Sequence, residues 1–136
     1  MVTFAMMKSG QTAGGNLHRT ILAIGSNKDA EANISRTLGL LAEYITDIRQ
    51  SRTLRTEALD GAKGTFSNLM LSGHTALSLE ELTAKTKETE RLCGRIHGNG
   101  DGGTVCMDID IMDYDGQKLH ADDWQRDYIR TLIKEV

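Results

Sequence analysis

Eight residues, Val105-Cys106-Met107-Asp108-Ile109-Asp110-Ile111-Met112, form an apolar strand pattern in which a single isoleucine separates two aspartates. Residues i and i+2 share one face of a strand, so Asp108 and Asp110 project side by side. The alternate residues must therefore meet a core, while the acidic face must meet water or positive charge. Burying one carboxylate is costly, and two neighbouring ones repel each other. A hard divalent cation such as Mg²⁺, arriving with a nucleotide, removes that cost through one or two carboxylates and phosphate oxygens. Taken alone, the pair is more simply explained by an edge strand with a solvated acidic face. The rest of the chain turns the balance.

Upstream, Thr20 to Gly25 is a short apolar run closed by Gly25-Ser26-Asn27, which predicts a buried first strand. Asp29 is placed to cap a helix running to about Tyr44, with Ile34, Leu38, Leu41 and Ile45 on one side. Asp47 to Thr56 reads as a polar, half-exposed second strand and Thr65 to His74 as a third. Ser78 and Glu81 form a capping box that opens a helix to about Cys93. After the aspartate strand, Asp115-Gly116 signals a hairpin. The tail from Asp122 to Glu135 is helical by pattern, with Trp124, Tyr128, Leu132 and Ile129 on one side.

The order strand–helix–strand–strand–helix–strand, with a terminal helix, is that of the ferredoxin-like split βαβ sandwich, an α+β fold with an antiparallel sheet and helices on one face. With 136 residues the chain is one ordinary domain. Residues 1–19 are expected to be a disordered leader, within which Met6 or Met7 can serve as an alternative start, and 20–136 the single domain. A net charge of −3 without a basic stripe argues against a nucleic-acid binder. No apolar run is long enough to span a membrane. Two cysteines, Cys93 and Cys106, make no disulfide or metal framework; they read as small buried hydrophobes in a reducing cytoplasm.

Gly98-Asn99-Gly100-Asp101-Gly102-Gly103 satisfies G-x-G-x-x-G but follows a helix and precedes a strand, the reverse of a dinucleotide fingerprint. It reads as linker slack or, from its position beside the acidic strand, as a phosphate cradle or active-site lid. Gly25-Ser26-Asn27 is equally a plain turn, Arg95 a charge at a helix C-terminus, His120 a surface histidine, and Phe66 and Tyr128 core rings. Each has a functional reading too: a guanidinium aimed at phosphate, or two rings enclosing a flat heterocycle.

Together these segments resemble the 6-hydroxymethyl-7,8-dihydropterin pyrophosphokinases of folate biosynthesis, from Ile21 almost to Val136. The resemblance rests on Ile24-Gly25-Ser26-Asn27, Arg55-Thr56-Glu57, Phe66-Ser67-Asn68, Glu90 four residues before Gly94-Arg95, and Asp108-Ile109-Asp110-Ile111-Met112. His120, Arg126 and Tyr128 match the family's histidine, arginine and aromatic in mutual spacing. The resemblance implies Mg-dependent transfer of pyrophosphate from ATP to the pterin's hydroxymethyl group, with release of AMP. It implies that Asp108 and Asp110 hold two Mg²⁺ ions, that Phe66 and Tyr128 stack on the pterin, and that Asn68 and Thr56 bind its edge. It further implies that Arg95, Arg126 and His120 neutralise phosphates.

The chain departs from that pattern in the loop ahead of the aspartates, where His97, Gly102 and Val105 stand for two arginines and a tryptophan. Two other readings therefore stand beside the enzyme: a diverged module that binds nucleotide or pterin with little turnover, and an interaction domain using an open sheet edge.

Overall fold

The computed structural model describes residues 16–57, 64–94 and 104–136. In chain order the elements are β1 (His18–Ser26), α1 (Ala30–Leu41), β2 (Thr46–Gln50), β3 (Leu54–Glu57), β4 (Thr65–Thr75), α2 (Leu79–Leu92), β5 (Asp108–Tyr114), β6 (Gln117–Lys118) and α3 (Asp127–Leu132). A 3-10 turn, Ala121–Gln125, leads into α3, and another, Ile133–Glu135, follows it. The strands form one antiparallel sheet in the order β2-β4-β1-β5-β6, with β3 continuing the β2 side along β4. This is the expected ferredoxin-like α+β arrangement.

Period-two alternation divides the central strands between two layers. Leu22 and Ile24 of β1, Leu69 and Leu71 of β4, and Ile109 and Ile111 of β5 join Ile34 and Leu41 of α1 and Leu82 of α2 in the main core. Their neighbours Ile21, Ala23, Met70 and Met112 point the other way, onto Ile129 and Leu132 of α3. The two long helices thus share one face, as expected, and the short terminal helix packs on the opposite face. Among the described residues, Gly25, Phe66, Asn68, Asp108 and Asp110 line the part of that face that opens onto a cavity.

Several boundaries differ from the sequence reading, each for a local reason. The first strand begins at His18, where Nδ1 lies 2.7 Å from Asp115 Oδ2 and the ring stacks on Tyr114. The second strand is two pieces, because Ser51 replaces a strand pairing with its side chain: its N–H donates to Met70 O and its Oγ accepts from Met70 N. Asp29 adopts a left-handed backbone and makes no side-chain cap; the Asn33 side chain instead donates to Lys28 O. The capping box at Ser78 and Glu81 forms in full. Val105 does not open the aspartate strand. Its N–H donates to Asn27 Oδ1 at 2.6 Å and its carbonyl accepts from Asn27 N at 3.0 Å, so Asn27 anchors the approach to β5.

The hairpin at Asp115-Gly116 is present, with both residues at positive φ. Just before it, β1 and β5 slip: Leu22 faces Ile111 but Ile21 faces Asp113, leaving Met112 as the extra residue of a β-bulge. The Met112 carbonyl accepts from Leu119 N and from Trp124 Nε1, which also donates to Leu119 O. That attachment, together with the extended backbone at Arg126, breaks the tail into three short turns where a continuous helix was expected.

Candidate active site

Gly25 is the pivot of the open face. In register it stands opposite Asn68 of β4 on one side and Asp108 of β5 on the other. A Cβ at this position would sit 2.9 Å from Asn68 Oδ1 and 3.5 Å from the Phe66 ring, so only glycine leaves the asparagine side chain its place. Asn68 is buried, and its Nδ2 donates to Thr56 Oγ1 at 2.7 Å, which fixes the amide plane across the β3–β4 pair. Two strand spacings, about 10 Å, separate the Asn68 and Asp108 backbones.

These residues open onto a cavity of about 240 Å³ lined by Gly25, Thr56, Phe66, Asn68, Asp108 and Asp110 from the sheet and by Asp123, Arg126 and Tyr128 from the tail. Glu57 also reaches it. The Arg126 Nε donates to Asp123 Oδ1 at 2.9 Å, so the tail places a cation beside the acidic strand with its own carboxylate attached. Tyr128 is held above the usual phenol range mainly by burial, with Asp110, Asp123 and Asp108 adding to it against Arg126.

Seven of the nine site residues expected from the sequence are thereby brought together: Thr56, Phe66, Asn68, Asp108, Asp110, Arg126 and Tyr128. His120 does not line the cavity; it precedes the first tail turn with a left-handed backbone. Arg95, His97 and Gly102 lie outside the described residues. Asp123, Glu57 and Gly25 were not singled out as ligand-binding residues in the sequence. Asp123 had a faint signal, an acidic residue three before Arg126, the i,i+3 spacing of an ion pair.

The carboxylate pair carries the electrostatic strain that its spacing implies. Asp110 is pushed up to about 7, first by removal from water, then by the charge of Asp108 and a hydrogen bond to it, with smaller contributions from Asp123 and Glu90. Such crowding favours a positive partner. Asp108 and Asp110 are the side chains here that suit a hard cation with oxygen ligands. Among the described residues no group of three or more His, Cys, Asp or Glu is arranged to enclose a metal by itself, so phosphate or water oxygens would complete the shell.

The open face of the split βαβ sheet thus joins an aromatic, amide-edged cleft to paired carboxylates. The chain belongs to the 7,8-dihydro-6-hydroxymethylpterin-pyrophosphokinase family, whose model matches residues 21–136. Members are diphosphotransferases of folate biosynthesis. Comparison with individual curated proteins gives no match. No helix among the described residues is long and apolar enough to cross a membrane.

Proposed function

We propose that the chain transfers pyrophosphate from ATP to 6-hydroxymethyl-7,8-dihydropterin with Mg²⁺, releasing AMP, in a reducing cytoplasm. The observation that carries this reading is the double register of Gly25, with Asn68 on one flank and Asp108 on the other. The distance across those strands, about 10 Å, suits a bicyclic ring whose polar edge meets Asn68 and Thr56 while its hydroxymethyl arm reaches the carboxylates. Phe66 and Tyr128 supply the rings that enclose it. A site that pairs a ligand's polar edge rejects analogues lacking those groups.

Asp108 and Asp110 would hold the metal, which neutralises phosphate charge and orients the donor. Such transfers require little covalent help from protein, so positioning and positive charge supply most of the rate. In this chain Arg126, fixed by Asp123, supplies a cation from the tail side, and Arg95 and His120 are the further candidates. The hydroxymethyl oxygen attacks the β-phosphorus and gives up its proton to solvent, its bond to phosphorus forms as the bond from the β-phosphorus to the α–β bridging oxygen breaks, and AMP leaves with that oxygen.

One observation favours the alternative of a site that binds without turnover. Among the described residues the cavity wall carries Glu57, Asp108, Asp110 and Asp123 against Arg126 alone, and Val105, ahead of the acidic strand, carries no charge. Losing one cation that stabilises a transition state can cost roughly 10³-fold in rate. The deciding measurement is AMP release from ATP, Mg²⁺ and the pterin, with Asp108→Ala/Asp110→Ala as the blank. Pterin-dependent AMP from the wild type alone supports the transferase; both ligands bound with no AMP supports the binding module. Absence of nucleotide binding altogether supports the interaction domain.

A further inference from the structure

The backbone between the two aspartates is held from behind the sheet. Among the described residues, Ile109 has no strand partner on the outer side of β5, because β6 pairs only with Asp113 and Tyr114. An unpaired strand N–H buried there would be costly. Glu90 of α2 takes it: its Oε2 accepts from Ile109 N at 2.7 Å, and the residue is 2% exposed. A glutamate this buried is uncommon, and its place on α2 is doubly fixed. Its neighbour Thr89 bonds Tyr44 through their hydroxyls at 2.9 Å, and the capping box sets the helix start.

We infer that Glu90 is a positioning residue for the carboxylate pair, fixing the peptide that separates Asp108 from Asp110 so that both carboxylates reach one cation. This inference rests on the assignment of Asp108 and Asp110 as the metal-binding pair. The role belongs to the hydrogen bond and not to the charge. Outer-sphere groups that orient ligands in this way are worth about 10–100-fold in metal affinity when removed.

Two substitutions separate reach from charge. Glu90→Gln keeps an acceptor oxygen at the same distance and loses the charge; Glu90→Asp keeps the charge and is one methylene too short. The probe is Mn²⁺ alone, titrated into the full chain and followed by electron paramagnetic resonance, with hydrogen exchange at the Ile109 amide as a metal-free readout. The expected result is Mn²⁺ affinity within about 3-fold of wild type for Glu90→Gln, and a loss of about 10-fold or more with faster Ile109 exchange for Glu90→Asp. Pterin affinity, set on the far side of Gly25, should stay unchanged in both. Equal Mn²⁺ affinity in all three proteins, or loss in Glu90→Gln alone, overturns the inference and leaves Glu90 a stabilising or purely electrostatic group. No Mn²⁺ binding by the wild type, or undiminished binding by Asp108→Ala/Asp110→Ala, overturns the metal assignment first and this inference with it.

Discussion

The two faces of the central strands are built from alternate residues of the same segments, yet they meet opposite demands. On the face toward the long helices, Leu22, Ile24, Leu69, Leu71, Ile109 and Ile111 pack without a polar atom among their side chains. On the other face the same strands carry Gly25, Phe66, Asn68, Asp108 and Asp110, a set with a missing side chain, a fixed amide and two crowded carboxylates. The first face accounts for stability through buried apolar area. The second gives some of it up, since Asp110 is held against its preference for water and for distance from like charge. Strand alternation thus lets one segment such as β5 be optimised for both purposes, residue by residue.

The largest break in this division should come from Asp108→Ala/Asp110→Ala. It is expected to reduce Mg-dependent AMP formation by about 10³-fold or more, while the melting temperature without metal stays level or rises. A fall of several degrees would mean that the acidic face also supports the fold. On the other face, Leu71→Ala should cost about 3 kcal/mol in urea unfolding. Turnover per folded molecule should be unaltered, and a kcat change in folded protein would show that the faces are not independent.

Asp110 gives the comparison a pH signature. Its ordinary value is 3.8 and its folded value about 7, so the folded state binds more protons across that interval. Stability is then greatest below the ordinary value, declines as pH rises from about 4 to about 7, and is flat above. Asp110→Asn removes this decline. The whole shift corresponds to roughly 4 kcal/mol, reduced to about 2 by screening at an open cleft. Metal-free Asp110→Asn should therefore be about 2 kcal/mol more stable than wild type at pH 8, with the gap closing toward pH 4. A gap that does not change with pH would remove desolvation and repulsion as its cause.

Gly25→Ala is the smallest effect. The added methyl meets Asn68 Oδ1 at 2.9 Å, so the amide must move off Thr56, and pterin affinity should fall about 10-fold, the value of one buried hydrogen bond to a ligand edge. Isothermal titration would detect it, and unchanged affinity would detach Asn68 from the pterin.

Much of this is legible in the sequence, where periodicity or spacing speaks directly. The Asp108–Asp110 face, the helix opened by Ser78 and Glu81, and the hairpin at Asp115-Gly116 depend on local geometry alone. What sequence concealed depends on side chains replacing backbone. Ser51 imitates a strand partner for Met70 and so divides the second strand. Asn27 does the same for Val105, moving the start of β5 to Asp108. Trp124 reaches back to Met112 and prevents the tail from running as one helix. Strict alternation would also have sent Tyr114 to the face of Asp110, but the bulge turns it toward Leu77, whose carbonyl accepts its hydroxyl at 2.7 Å. The bond from Ile109 N–H to Glu90 is likewise invisible in a helix pattern, although the residue belongs to the motif that carries the family resemblance.

That bulge has a consequence for how the protein can tolerate change in length. Counted against its partner, β5 is one residue too long, and the surplus is Met112. Deleting Met112 would leave Asp108 and Asp110 opposite Gly25 and Ala23, and Tyr114 opposite Thr20, with neither end of the strand turned over. What would go is the buried Met112 side chain, in the same cluster as Ile129 and Leu132, and the carbonyl that receives Leu119 and Trp124, two of the attachments of the segment that delivers Arg126 and Tyr128. A one-residue deletion here would spare the register of the acidic strand and loosen the tail that brings Arg126 and Tyr128 to the cleft.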